Sequence, residues 1–142
     1  MENVAGDFLA LMAFIRDKFI RPVELITRSR ISHVQFYAIS VLRRSGSLSM
    51  SELAGEMHIS KQQLTPLVYK LIDNGLLARK TDEKDRRIVR IEVTEIGRHM
   101  YEEILVEIKL ALIKKLGTLP EMELNELEHM LKRTYEIMKS IY

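Results

Sequence analysis

The residues best placed to do chemistry are two adjacent arginines at the end of a charged run, Asp82-Glu83-Lys84-Asp85-Arg86-Arg87. By composition alone such a run is a solvated loop. Its meaning changes with what precedes it. Ser60-Lys61-Gln62-Gln63 has the form of a capping box, in which two side chains satisfy the unpaired amides at a helix start. A short helix opened there can lie in the major groove of a duplex, where Gln pairs bidentately with adenine and Lys meets guanine or phosphate. Paired guanidinium groups just beyond it can enter a narrow minor groove, where negative potential is enhanced. Bond-making chemistry is not indicated, because no nucleophile–base pair, phosphate-binding glycine loop or metal cluster is present. The histidines, His33, His58, His99 and His129, include no pair at the i, i+4 spacing of a helical metal site. His99, near Glu95, Glu102 and Glu103, reads as helix surface. No cofactor, no metal and no enzymatic activity are expected.

Bulk properties agree with a nucleic-acid partner without requiring one. The chain has 142 residues, 46% hydrophobic and 30% charged, which suits one domain with a helical extension. It has no cysteine, so disulfides and thiolate metal sites are excluded and a reducing compartment is compatible. No apolar run approaches the roughly 18 residues needed to span a bilayer, and the first seven residues carry Glu2 and Asp7 where a secretory signal would be basic. A cytoplasmic location and no membrane contact are expected. The net charge of +2 is unevenly spread: residues 60–94 carry eight basic and five acidic side chains, whereas residues 95–142 carry seven and nine. A polyanion would therefore meet the middle of the chain.

The elements that must position these residues are legible from capping and periodicity. Phe8, Leu11, Met12, Ile15, Phe19 and Val23 recur at helical spacing, with Pro22 expected to kink or end the helix. Ser32-His33-Val34-Gln35 is a capping box for a helix ending near Ser45-Gly46. A second box, Ser49-Met50-Ser51-Glu52, opens a short helix to about Met57. The third box opens the helix Lys61–Asn74, with Gly75 free to take the left-handed C-terminal conformation. Pro66 inside that helix removes one amide, at a cost of up to about 3 kcal/mol in an ordinary helix. The period then changes: Leu76–Lys80 and Ile88–Val93 read as two strands of a hairpin whose tip is the charged run. Thr94 is placed to cap a long helix, Glu95 to Leu116. Gly117 stops it, and Thr118-Leu119-Pro120-Glu121 starts the last helix, with proline tolerated in the first turn. The order short helix, tight turn, capped helix, hairpin is that of a winged helix-turn-helix. The fold class expected is mainly α with a small β-hairpin (α+β).

The string Leu71-Ile72-Asp73-Asn74-Gly75-Leu76-Leu77-Ala78-Arg79, followed by Asp85-Arg86-Arg87 and then Val93-Thr94-Glu95-Ile96-Gly97, resembles the MarR family of transcription regulators. The likeness is strongest over residues 48–98. It implies that Arg87 enters the minor groove, that Asp85 makes a salt bridge aiming it, and that Arg86 contacts phosphate or groove wall. It implies base or phosphate contacts for Lys61, Gln62, Gln63 and Thr65. Ser60 reads first as an N-cap whose exposed helix end can also meet a phosphate. Lys70 and Tyr69 read as phosphate contacts, with partial burial equally open for Tyr69, and Arg79 and Lys84 complete the set. Leu64-Thr65-Pro66 and Arg21-Pro22 resemble the organic-hydroperoxide-sensing branch. That branch senses through a cysteine near the start of its first helix; here the comparable region holds Asp7 and Phe8, so thiol sensing is out.

The resemblance divides the chain into an N-terminal dimerisation helix (1–30), a winged helix-turn-helix (31–95) and C-terminal dimerisation helices (96–142). It implies a homodimer on a pseudopalindromic double-stranded operator, with half-sites about 34 Å apart. Candidate interface residues are Phe8, Met12, Ile15, Leu112, Leu116, Leu131, Tyr135, Met138 and Ile141; an intramolecular core is the alternative for each. It further implies repression relieved by a small molecule, for which Arg16, His33, Phe36 and Tyr37 are candidate contacts, with capping (His33) and core packing (Phe36) as the competing roles. The other functional reading is a winged helix used for protein–protein contact without DNA.

Overall fold

A computed structural model describes residues 1–141, and for Ile26 the backbone alone. The expected Tyr142 end of the third segment lies outside the described residues. The chain divides into two compact units, Met1–Glu107 and Ile108–Tyr142. The elements run α1 (Glu2–Ile15), a π-helical stretch (Arg16–Ile20), α2 (Arg21–Thr27), α3 (His33–Ser45), β1 (Ser47–Ser49), α4 (Met50–Glu56), α5 (Lys61–Asp73), β2 (Leu77–Thr81), β3 (Val89–Val93), α6 (Glu95–Leu116) and α7 (Glu121–Lys139). The class is mainly helical with one small antiparallel sheet.

All three expected capping boxes form with both of their bonds, at Ser32/Gln35, Ser49/Glu52 and Ser60/Gln63. Pro22 does not end its helix. Helical backbone continues to Thr27, and the widened π-helical turn lies immediately before the proline, its register marked by the Arg21 amide donating to the Arg16 carbonyl. A π-bulge is one way to accommodate a proline ring that would clash with the carbonyl four residues back. Pro120 stands at the N-cap of α7 and not within its first turn.

In the first unit, Ile39, Leu42, Leu53, Leu64, Val68 and Leu71 from three helices meet Leu77 and Ile91 from the sheet, all essentially inaccessible. Each such side chain contributes about 1.5–3 kcal/mol by leaving water. The sheet has the order β1-β3-β2, with Leu77 opposite Val93 and Thr81 opposite Val89. β1, a three-residue edge strand too short for a sequence signal, pairs Ser47 with Glu92 and Ser49 with Arg90.

The Thr94-Glu95-Ile96-Gly97 string has a physical basis. Thr94 Oγ1 donates to the Gly75 carbonyl at 2.6 Å and accepts from the Gly97 amide at 3.0 Å, so one hydroxyl caps α6 and ties it to the turn after α5. A Cβ on Gly97 would sit 2.1 Å from the Leu76 carbonyl oxygen, a backbone atom that cannot step aside. Further along the same helix, Ile104 is buried and the Tyr101 ring stacks on Phe36 of α3, centroids 4.6 Å apart. Arg43 lies over the Tyr101 ring and pairs with Glu102, while Arg30 pairs with Glu103 and Glu107.

Candidate nucleic-acid interface

The helix-turn-helix is set by its turn. Met57 and Ile59 donate their amides back to Leu53 and Ala54, and His58 takes a positive φ of 52° between them, which directs the chain into the Ser60 cap. α5 then buries Leu64, Val68 and Leu71 and leaves Lys61, Gln62, Gln63, Tyr69 and Lys70 exposed, with Thr65 half-exposed. Lys61, Thr65 and Tyr69 follow one another at i, i+4 steps, so they share one outward face. Pro66 is exposed and α5 runs through it without a break.

Three of the expected contact side chains, Ser60, Gln63 and Thr65, are already engaged in local bonds. Gln63 Oε1 accepts from the Ser60 amide at 3.1 Å, and Thr65 Oγ1 donates to the Lys61 carbonyl at 2.6 Å. The Gln63 amide oxygen therefore serves the cap, which leaves its NH2 group for an outside acceptor. Ser60 Oγ likewise accepts from the Gln63 amide at 3.2 Å.

The hairpin is joined to α5 by an aromatic contact. Arg79 shares a sheet face with Leu77 and Ile91, and its guanidinium carbon lies 4.5 Å from the centre of the Tyr69 ring. Cation–π attraction thus brings together two residues from separate parts of the expected set. At the tip, Lys84, Asp85, Arg86 and Arg87 are all exposed.

Asp85 does not do what the resemblance implies. It makes no ion pair with Arg87 among the described residues; its Oδ1 accepts from the Arg87 backbone amide at 2.9 Å. A carboxylate two residues back in a tight turn faces the backbone rather than the solvent-directed guanidinium, so Asp85 shapes the loop. The hairpin's ion pairs are instead Asp82–Arg90 and the more exposed Lys80–Glu83, 4.0 Å apart. Asp82 also accepts the Lys84 and Asp85 amides at 2.8 and 3.0 Å. The Arg90 side chain, aided by these amides, holds the Asp82 carboxyl down at about 2. Arg90 reaches on to the Ser47 carbonyl and to Glu52 of α4, each at 3.3 Å. The Glu52 carboxyl lies below its usual range, chiefly because it accepts the Ser49 amide. Arg90 escaped the sequence reading because in an alternating strand it looks like any exposed charge.

These elements match a known protein class. The MarR family's sequence model covers residues 31–89. The HTH-type transcriptional repressor MdtR of Bacillus subtilis is 27% identical over 129 residues, spanning 91% of this chain and 81% of that protein. The Organic hydroperoxide resistance transcriptional regulator of the same organism is 29% identical over 73 residues, about half of each chain. A MarR family protein of Bacillus stearothermophilus, known by its structure, is 26% identical and superimposes with a TM-score of 0.81 over 98% of both chains. Residues 31–89 thus match the MarR family, and the rest of the chain is similar in fold to a MarR family protein.

The four candidate effector contacts are not gathered into one site. Phe36 is spent on the Tyr101 stack, and His33 is exposed with Glu24 3.9 Å away. Arg16 is exposed in the π-helical stretch, and Tyr37 is exposed on α3. An open cleft of about 800 Å³ lies elsewhere, between the end of α3, β1, the end of β3 and the start of α6, and none of the four lines it. Among the described residues, no helix is long and apolar enough to cross a membrane, and no three metal-ligating side chains cluster.

Of the expected dimer contacts, Phe8, Met12, Ile15, Leu131, Tyr135 and Ile141 are exposed, and Leu112, Leu116 and Met138 are half-buried. No residue of α1 or α7 is buried.

Proposed function

We propose that this protein is a cytoplasmic, homodimeric repressor of the MarR family that binds a pseudopalindromic DNA operator and is released by a small molecule. The observation that carries the DNA reading is the continuity of the basic surface. α5 presents Lys61, Gln62, Gln63, Thr65, Tyr69 and Lys70 around a Ser60-capped N-terminus, and Arg79 on Tyr69 pins the hairpin bearing Lys84, Asp85, Arg86 and Arg87 beside it. A helix of this length fits the major groove while the hairpin reaches the flanking minor groove. In this reading residues 31–95 hold the DNA and residues 1–30 and 96–142 hold the second copy. The homodimer is supported by the exposed apolar residues of α1 and α7, which a lone chain leaves in water. Repression follows the naming of the relative MdtR as a repressor. A winged helix used only for protein contact would have no need of free arginines at the tip, and it is not favoured.

The test is binding of the full chain to duplexes recovered from genomic fragments, measured as salt is varied. Affinity should fall linearly with log salt, by about 0.9 in slope for each phosphate neutralised. No salt-dependent duplex binding at low ionic strength would overturn the assignment.

A further inference from the structure

We propose that Arg90 is a positioning residue for the wing, tying the hairpin tip to the first turn of α4 so that Arg86 and Arg87 keep a fixed offset from α5. The proposal rests on the DNA-binding reading above and adds to it a residue that touches no DNA.

The observation is an unbroken chain of polar contacts. At one end the Ser49–Glu52 capping box fixes Glu52 at the N-terminus of α4. Glu52 Oε2 accepts the Ser49 amide at 2.7 Å and meets Arg90 Nη1 at 3.3 Å. The same Nη1 donates to the Ser47 carbonyl on the edge strand. Nε of Arg90 donates to Asp82 Oδ2. The other oxygen of Asp82 holds the Lys84 and Asp85 amides, and Asp85 holds the Arg87 amide. The two central steps join side chains and the outer ones end on backbone, so the path runs from α4 to the peptide that carries Arg87.

Without that path the tip would be a free loop. Asp82 to Ile88 contributes few other contacts: Asp82 donates its amide to Ile88, Ile88 donates to Asp85, and the exposed Glu83 lies 4.0 Å from Lys80, a solvent-screened pair. Nothing in the tip is buried. A loop held only by its own turn would have to be ordered on each encounter with DNA, and that entropy would be subtracted from affinity. The bridge orders it beforehand. Arginine suits the task because its planar fork serves Asp82, Ser47 and Glu52 at once, whereas lysine offers a single ammonium. A direct phosphate contact by Arg90 is the competing role. It is disfavoured because two of the three guanidinium nitrogens already face protein acceptors.

A double-mutant cycle on the full-length protein separates these roles, using a duplex selected by the wild type. Arg87→Ala, Arg90→Gln and the pair are compared by affinity and by hydroxyl-radical footprint. Arg90→Gln alone should weaken binding about tenfold and blur the flanking minor-groove protection while the major-groove protection stays. In the Arg87→Ala background the same change should cost less than about twofold, because residues acting through one another are not additive. Arg90→Lys should not restore the footprint. Asp82→Asn, which breaks the bridge from the loop side, should reproduce the Arg90→Gln result and replaces it if that variant does not fold. Costs that simply multiply in the double variant, or an unchanged footprint in both bridge variants, would overturn the proposal. An Arg87→Ala variant that binds like the wild type would instead overturn the wing reading itself, and this proposal with it.

Discussion

α5 and α7 carry the same kind of signal in sequence and meet opposite fates in the structure. Both have apolar residues at helical spacing. In α5 that stripe is consumed: Leu64, Val68 and Leu71 are buried by α3, α4 and the sheet. In α7, and equally in α1, no side chain is buried, and Phe8, Met12, Leu131 and Tyr135 stand in water. The difference teaches that periodicity announces a face to be covered, not what covers it. The winged segment finds its cover within the chain. The terminal helices leave theirs exposed, and the second copy proposed above would cover them on a two-fold operator.

The largest expected effect breaks the comparison from the side of the terminal helices. Replacing Leu131 and Tyr135 together by Asp should give a monomer in sedimentation. Operator affinity should drop by more than about a hundredfold, since one half-site offers only part of the phosphate contacts. A variant that stays dimeric would remove α7 from the interface. The next effect comes from the winged segment. Leu71→Ala should cost about 2–5 kcal/mol of stability by lost burial and a residual cavity. Its loss should be the same at every protein concentration in urea titration, whereas Phe8→Ala should destabilise in a concentration-dependent way. Concentration dependence in both, or in neither, would erase the contrast drawn here.

The smallest effect sharpens the account of the wing. The Asp82 carboxyl is lowered from 3.8 to about 2 in the folded chain, mainly by the Arg90 hydrogen bond. A depressed folded-state value means that the contribution is fully present above the unfolded value of 3.8 and is lost as pH falls toward 2. A carboxyl titration followed by NMR should place the Asp82 midpoint well below the ordinary aspartate value of 3.8. A midpoint near 3.8 would mean that the bridge does not persist in solution.

Much of this architecture was legible because it is local. Capping boxes depend on residues three apart, and all three form where Ser32, Ser49 and Ser60 announce them. The Asn74-Gly75 stop is equally local, with Gly75 at a φ of 72°. What was not legible depends on contacts between distant segments. β1 exists only because Ser47–Ser49 finds β3 more than 40 residues later. The Arg90 bridge joins residues 52, 82 and 90, and the stack of Phe36 on Tyr101 spans 65 positions. Periodicity along one segment carries no trace of such pairings. The charged run after a capped helix brought Arg86 and Arg87 to notice; the family likeness then assigned Asp85 to a side-chain pair where the turn geometry commits it to the backbone.

The most direct test of the central claim is a hydroxyl-radical and methylation footprint of the wild-type protein on a duplex recovered from its own genomic targets. The account predicts two protected major-groove faces about 34 Å apart along the axis, each flanked by minor-groove protection that Arg87→Ala removes. A single protected patch, or protection confined to the backbone with no major-groove component, would contradict it.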